Sequence, residues 1–117
     1  PPIERLRAAG VPLALGTDSL ASCDSLSLWD EVAFARTRYA GVLAPRELLA
    51  MATVGGARAL GLESEMGTLE EGKGGHFHVL AVAPSCLGEL EEFLCAPGRT
   101  ADVTALYIDG RDVLQIF

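Results

Sequence analysis

The chain has 117 residues, half of them hydrophobic, and a net charge of −7 from nine Lys and Arg against sixteen Asp and Glu. That acidic balance, with no basic run interleaved with aromatics, excludes a phosphate backbone as the expected partner. No apolar stretch is long enough to span a bilayer, and no charged segment followed by an apolar one marks an export signal, so a soluble, unexported chain is expected.

The three cysteines, Cys23, Cys86 and Cys95, are odd in number and widely spaced. They suit neither a disulfide framework nor a paired zinc knuckle, and a reducing cytoplasm is the simplest setting. A mean hydropathy of +0.30 is apolar for so small a body. Some of that apolar surface is expected to be covered, by a second copy of the chain or by the rest of a longer one. The sequence opens on Pro1-Pro2 without an initiator Met and reads as a piece of something longer.

Ile3, Leu6 and Arg7 with Ala8-Ala9 form a short helical pattern, with Pro at its start and Gly10 past its end. Val11 to Leu15 is an apolar run bounded by Gly and Pro, which predicts a buried strand. It ends abruptly in Gly16-Thr17-Asp18-Ser19 and so places one carboxylate, Asp18, at the strand's C-terminal mouth. In parallel α/β folds that edge carries the chemistry; a cap or turn role for Asp18 is the plain alternative.

Ser19 to Ser27 is a loop of small residues, either a pocket wall or a simple connection. Ser27 is positioned to cap a helix through Leu28, Trp29, Val32, Ala33, Ala35 and Arg36, closed by Tyr39-Ala40-Gly41. Ala44-Pro45 opens the next, in which Leu48, Leu49, Ala52, Ala57 and Leu60 keep helical spacing and Gly61 is the stop. Gly55-Gly56 in its middle marks a break or the close approach of another backbone.

From Met66 the chain becomes turn-rich. Phe77 to Val82 predicts a strand ended by Pro84, Leu87 to Leu94 a short acidic helix, and Val103 to Ile108 a hairpin arm. Asp109-Gly110 is the hairpin turn and Val113 to Ile116 the return arm. The organisation is thus an α/β half up to Leu62, residues 1–62, followed by a mainly β portion, residues 63–117.

Gly67-x-x-x-x-Gly72-Lys73 matches a phosphate-binding loop until its eighth position, where Gly74 replaces the Ser or Thr that would hold Mg²⁺. Glu70 and Glu71 carry the wrong charge and a strand follows, so a glycine-rich turn is expected. His76 and His78 share the two-residue spacing of one strand face, but no third ligand lies near them in sequence, and ordinary sheet histidines are expected. No Gly-x-Ser-x-Gly elbow presents a serine nucleophile.

The runs Leu15-Gly16-Thr17-Asp18-Ser19-Leu20-Ala21-Ser22 and Ser25-Leu26-Ser27-Leu28-Trp29-Asp30-Glu31 resemble the eighth-strand region of the amidohydrolase superfamily. The likeness is to its cytosine, guanine, adenosylhomocysteine and aminodeoxyfutalosine deaminase and chlorohydrolase branch. It continues through Leu48 to Leu62, Met66 to Lys73 and the hairpin Val103 to Val113 with Asp109-Gly110-Arg111, in the family's order.

The resemblance implies the C-terminal portion of a (β/α)₈ barrel, its last strand and flanking helices in residues 1–62, and part of a small composite β-sandwich in residues 63–117. It implies a metal-dependent hydrolase of C–N bonds, deaminating a purine-like or related heterocycle. Asp18 matches the family's metal ligand and proton shuttle; a carboxylate can ligate Zn²⁺ or Fe²⁺ and accept a proton. Zinc or iron is therefore expected in the parent enzyme and none on this chain alone, because the family's histidine ligands belong to barrel segments that it does not contain. Gly75-His76 departs from the family's usual Ala-Asp at that turn. A different reading is a stand-alone α+β assembly module that associates through exposed apolar surface.

Overall fold

A computed structural model describes residues 1–22, 24–98 and 102–114. Helix α1 spans Ile3–Ala8. It ends as its Pro and Gly punctuation predicts, the Val11 N–H closing onto the Leu6 carbonyl at 3.0 Å. Helix α2 runs Leu28–Arg38, with Asp30 and Glu31 in its first turn and Arg36 and Arg38 in its last, a distribution that complements the helix dipole. Helices α3, Pro45–Ala52, and α4, Val54–Ala59, follow.

Where sequence spacing predicts one helix from Pro45 to Leu60, the chain breaks at Thr53, whose φ of −121° and ψ of −95° are not helical. The Thr53 hydroxyl donates back to the Leu49 carbonyl at 2.7 Å. The break leaves the Met51 carbonyl for another donor, and the Leu15 N–H takes it at 3.2 Å.

Val11 to Leu15, where a buried strand is expected, belongs to no ladder among the described residues, and none of the five is fully buried. Strand conformation is satisfied by a neighbouring strand. Here the segment instead lies along the helices, with Leu13 and Leu15 packed against the core and Val11 exposed.

Strand β1 is Phe77–Ala81, followed by a 3₁₀ helix over Pro84–Glu89 and helix α5 at Leu90–Cys95. The acidic helix expected at Leu87 to Leu94 thus starts earlier, at Pro84, and its first half is wound more tightly. Strands β2, Asp102–Ile108, and β3, Arg111–Asp112, complete an antiparallel sheet in the order β1-β2-β3. The Asp109-Gly110 turn is as expected, but the return arm pairs at Arg111–Asp112 rather than at Val113 to Ile116: Val113 and Leu114 are in no strand, and Gln115 and Ile116 lie outside the described residues.

One core serves both halves of the chain. Ile3, Val32, Ala35, Leu43, Leu48 and Met51 form it together with Cys95 of α5, and Leu48 and Cys95 are 0% exposed. Arg36 of α2 and Glu92 of α5 bridge the same contact at 2.8 Å. Arg7 ties α1 down by donating to the Val42 carbonyl and to the Glu47 carboxylate. The sheet is different: no residue of β1 or β2 is buried, and Phe77, Val79, Val103 and Ile108 are exposed.

Candidate functional site

The site is built from the end of the extended segment. Leu15 is fixed by its bond to the Met51 carbonyl and by packing on the core, so Gly16-Thr17-Asp18 leaves from an anchored point. Asp18 has a φ of 59°, left-handed backbone that Asp tolerates better than most residues with a side chain. The reversal leads into a tight turn in which the Ser22 N–H donates to the Ser19 carbonyl at 2.9 Å.

That turn brings the Ser22 hydroxyl back to Asp18. Ser22 Oγ lies 3.0 Å from Asp18 Oδ2, 3.0 Å from the Ser19 carbonyl oxygen and 3.4 Å from the Ser19 nitrogen. The Ala21 N–H donates to Ser19 Oγ at 3.3 Å. Among the described residues no cationic side chain pairs with Asp18. Its carboxylate is exposed and has one oxygen engaged by a hydroxyl.

Further along the loop, the cap expected from the Ser27 side chain is not made, and Ser25 ties the loop to the helix start instead. Ser27 stands at the helix start without a side-chain cap. Ser25 Oγ instead accepts the Ser27 N–H at 3.1 Å and donates to Asp30 Oδ2 at 2.5 Å. The depression between this loop and α2 is lined by Ser22, Asp24, Ser25, Asp30, Glu31 and Phe34, an acidic surface with one aromatic wall.

The two histidines serve the sheet. His76 Nδ1 accepts the Asp109 N–H at 3.4 Å while Nε2 lies 3.3 Å from Asp109 Oδ1, so the ring clasps the hairpin turn. His78 lies against Trp29 of α2, ring centroids 5.8 Å apart. Among the described residues no group of three or more His, Cys, Asp and Glu side chains is placed to hold a metal ion.

Lys73 of the glycine-rich turn is committed internally. Its ammonium donates to the Glu63 carbonyl and to Thr68 Oγ1, both at 2.7 Å, and pairs with Glu70 at 2.8 Å. The hydrogen bond from Lys73, together with one from Thr68, holds the Glu70 carboxyl below its ordinary range. Gly67, at a φ of 96°, packs this turn on α4, where an added Cβ would fall 2.8 Å from that of Ala57.

The Ser22 contact is the feature that sequence reasoning missed. Its signal is the spacing Asp18-x-x-x-Ser22 in a loop of small residues, which matters only once the left-handed backbone at Asp18 is known.

Comparison with known proteins places these features in a family. The chain is 35% identical, over 124 residues, to a 5-methylthioadenosine/S-adenosylhomocysteine deaminase of Moorella thermoacetica, covering 94% of this chain and 28% of that protein. It is 54% identical over 54 residues to an aminodeoxyfutalosine deaminase of Deinococcus radiodurans, covering 46% of this chain and 13% of the relative. A crystal structure of an adenosine deaminase from Xanthomonas campestris with bound zinc superposes with a TM-score of 0.81 at 33% identity, over 93% of this chain and 27% of that one. The chain therefore spans little more than a quarter of the length of relatives that match nearly all of it. With residues 1–113 matching the Amidohydrolase family, the chain belongs to that family.

Proposed function

We propose that this chain forms the C-terminal portion of a metal-dependent deaminase whose substrate is an adenosine-like nucleoside. In that reading Val11 to Leu15 is the last strand of a (β/α)₈ barrel, flanked by the helices of residues 1–62. Residues 63–117 contribute to a small β-sandwich. Two observations support the placement: the Val11 to Leu15 segment carries no ladder partner among the described residues, and neither β1 nor β2 buries a residue. An unpaired strand and a thin, exposed apolar sheet both call for covering structure.

The observation that carries the function is Asp18, a carboxylate with no cationic partner among the described residues, held at the mouth of the anchored segment in a chain 33% identical to a zinc-bound deaminase over 93% of its length. Asp18 suits a divalent zinc or iron ion as one oxygen ligand. The described residues supply no further set, so the remaining ligands come from the rest of the protein. When bound, the ion supplies Lewis acidity that activates water near neutral pH. Asp18 would accept the proton that the attacking water loses and pass it to the departing amino nitrogen, which leaves as ammonia, while the water oxygen stays on the ring carbon as the carbonyl and the second water proton ends on the adjacent ring nitrogen. This chain alone is inactive, and the enzyme is cytoplasmic.

Asp18→Asn in the whole protein tests the assignment. Ammonia release from adenosine-type nucleosides is expected to fall by ~10²-fold or more, with folding retained, given the size of general acid–base effects. Turnover at the wild-type rate would remove Asp18 from the mechanism.

A further inference from the structure

We propose that Ser22 is a positioning residue for Asp18, its hydroxyl holding Oδ2 so that Oδ1 alone is presented to the metal. The inference rests on the reading of Asp18 as a metal ligand and adds a second residue to it. A serine hydroxyl has one proton to give, and two acceptors stand 3.0 Å from Ser22 Oγ: Asp18 Oδ2 and the Ser19 carbonyl oxygen. The ionised carboxylate is the stronger acceptor, since charge-assisted hydrogen bonds are roughly twice as strong as neutral ones. The Ser19 N–H, 3.4 Å away, faces the lone-pair side of the same oxygen. A chain therefore runs from the Ser19 N–H to Ser22 Oγ and from its proton to Asp18 Oδ2.

The backbone makes this arrangement specific. Left-handed backbone at Asp18 turns the chain, and the Ser22 N–H bond to the Ser19 carbonyl at 2.9 Å fixes the turn, which together carry the side chain four residues on back over the carboxylate. Without the hydroxyl, an exposed Asp would sample its rotamers and offer either oxygen or both. With it, the carboxylate is oriented before the ion arrives, and groups that orient a ligand in this way commonly change metal affinity or activity by ~10- to 100-fold when removed.

The test uses the whole protein, with Ser22→Ala, Ser22→Thr and Asp18→Asn compared for zinc affinity by chelator competition and for kcat and KM on an adenosine-type nucleoside. Ser22→Ala is expected to weaken zinc binding by ~10-fold or more and to lower kcat while leaving KM near its wild-type value. Ser22→Thr, which restores a hydroxyl, is expected to recover most of both. Zinc affinity and kcat of wild-type size in Ser22→Ala, beside a damaged Asp18→Asn, would overturn the role of Ser22 and leave Asp18 standing. A threonine variant as impaired as the alanine one would overturn it as well, because the hydroxyl would not be what matters. Asp18→Asn with undiminished zinc affinity would overturn both readings together.

Discussion

The Leu13 carbonyl oxygen stands 2.7 Å from the point that a β-carbon on Gly55 would occupy. Only a glycine admits the extended segment so close to the start of α4. Two residues further along, Leu15 takes the Met51 carbonyl that the break at Thr53 leaves free. The seat of the candidate site is therefore a backbone-to-backbone junction, and Gly55 is its narrowest point.

Gly55→Ala is expected to destabilise. In an ordinary helix the change gains about 0.5–1 kcal/mol, because glycine is the more costly residue to order. Here the added carbon meets the Leu13 oxygen and, at 3.1 Å, the Ala50 carbonyl oxygen, both backbone atoms that cannot rotate away. Overpacking of this kind costs about 1–3 kcal/mol, so a net loss is expected. Urea unfolding of the two proteins measures it, and a stabilised alanine variant would show that the segment does not press on α4.

Leu48 sits at the centre of the helical core with no exposed surface. Leu48→Ala is expected to cost about 2–5 kcal/mol, much of the stability of a domain of this size. Leu69→Ala is the internal comparison: at 77% exposure its side chain buries little, and its unfolding midpoint is expected to stay near that of the parent.

Much of this fold was legible in the sequence, and the exceptions share a cause. Pro2, Gly10, Pro45 and Gly61 mark helix boundaries through local backbone chemistry, and Asp109-Gly110 marks the hairpin in the same way. The bonds of Val11 to Leu15 are decided by whatever lies beside them, which hydrophobic patterning does not encode. The break at Thr53 was half legible: Gly55-Gly56 signals a break or a close approach, and both occur, the break lying two residues before the glycines. At the candidate site Asp18 stands out as the one carboxylate after an apolar run, whereas the hold of Ser22 on it depends on a φ of 59° that no propensity predicts. Ser27 keeps its place at the helix start without a side-chain cap, and the hydroxyl that braces the turn is that of Ser25, which reaches both the Ser27 N–H and the Asp30 carboxylate.

The Lys73 turn gives a pH dependence with a definite sign. Glu70 is held below its ordinary value of 4.5 by Lys73 and Thr68. A carboxyl lowered by folding contributes stability that is present above 4.5 and is lost as pH falls through the lower folded value. Glu70→Gln is therefore expected to make the decline of the urea midpoint between about pH 6 and about pH 3 shallower. Because the Glu70 side chain is largely exposed the difference is small, and an identical decline in both proteins would show that the pair is screened away.

The sheet supplies the last prediction. Phe77 and Val79 alternate along β1 opposite Tyr107 and Ala105 of β2, so these side chains share one face, and the Phe77 and Tyr107 rings stack at 4.6 Å. That face is apolar and open, with Phe77 at 37% and Val79 at 43% exposure. In a larger protein such a face is covered; on this chain alone it is free to meet a second copy. Sedimentation of the 117-residue chain is expected to show association that increases with concentration. Val79→Lys, which places a charge in the middle of the face without burying it, is expected to return the chain to a monomer. A wild-type chain that stays monomeric throughout would mean that this surface is tolerated in water. If Val79→Lys associates as strongly as the wild type, the contact lies elsewhere, with the exposed edge of Val11 to Leu15 the next surface to alter.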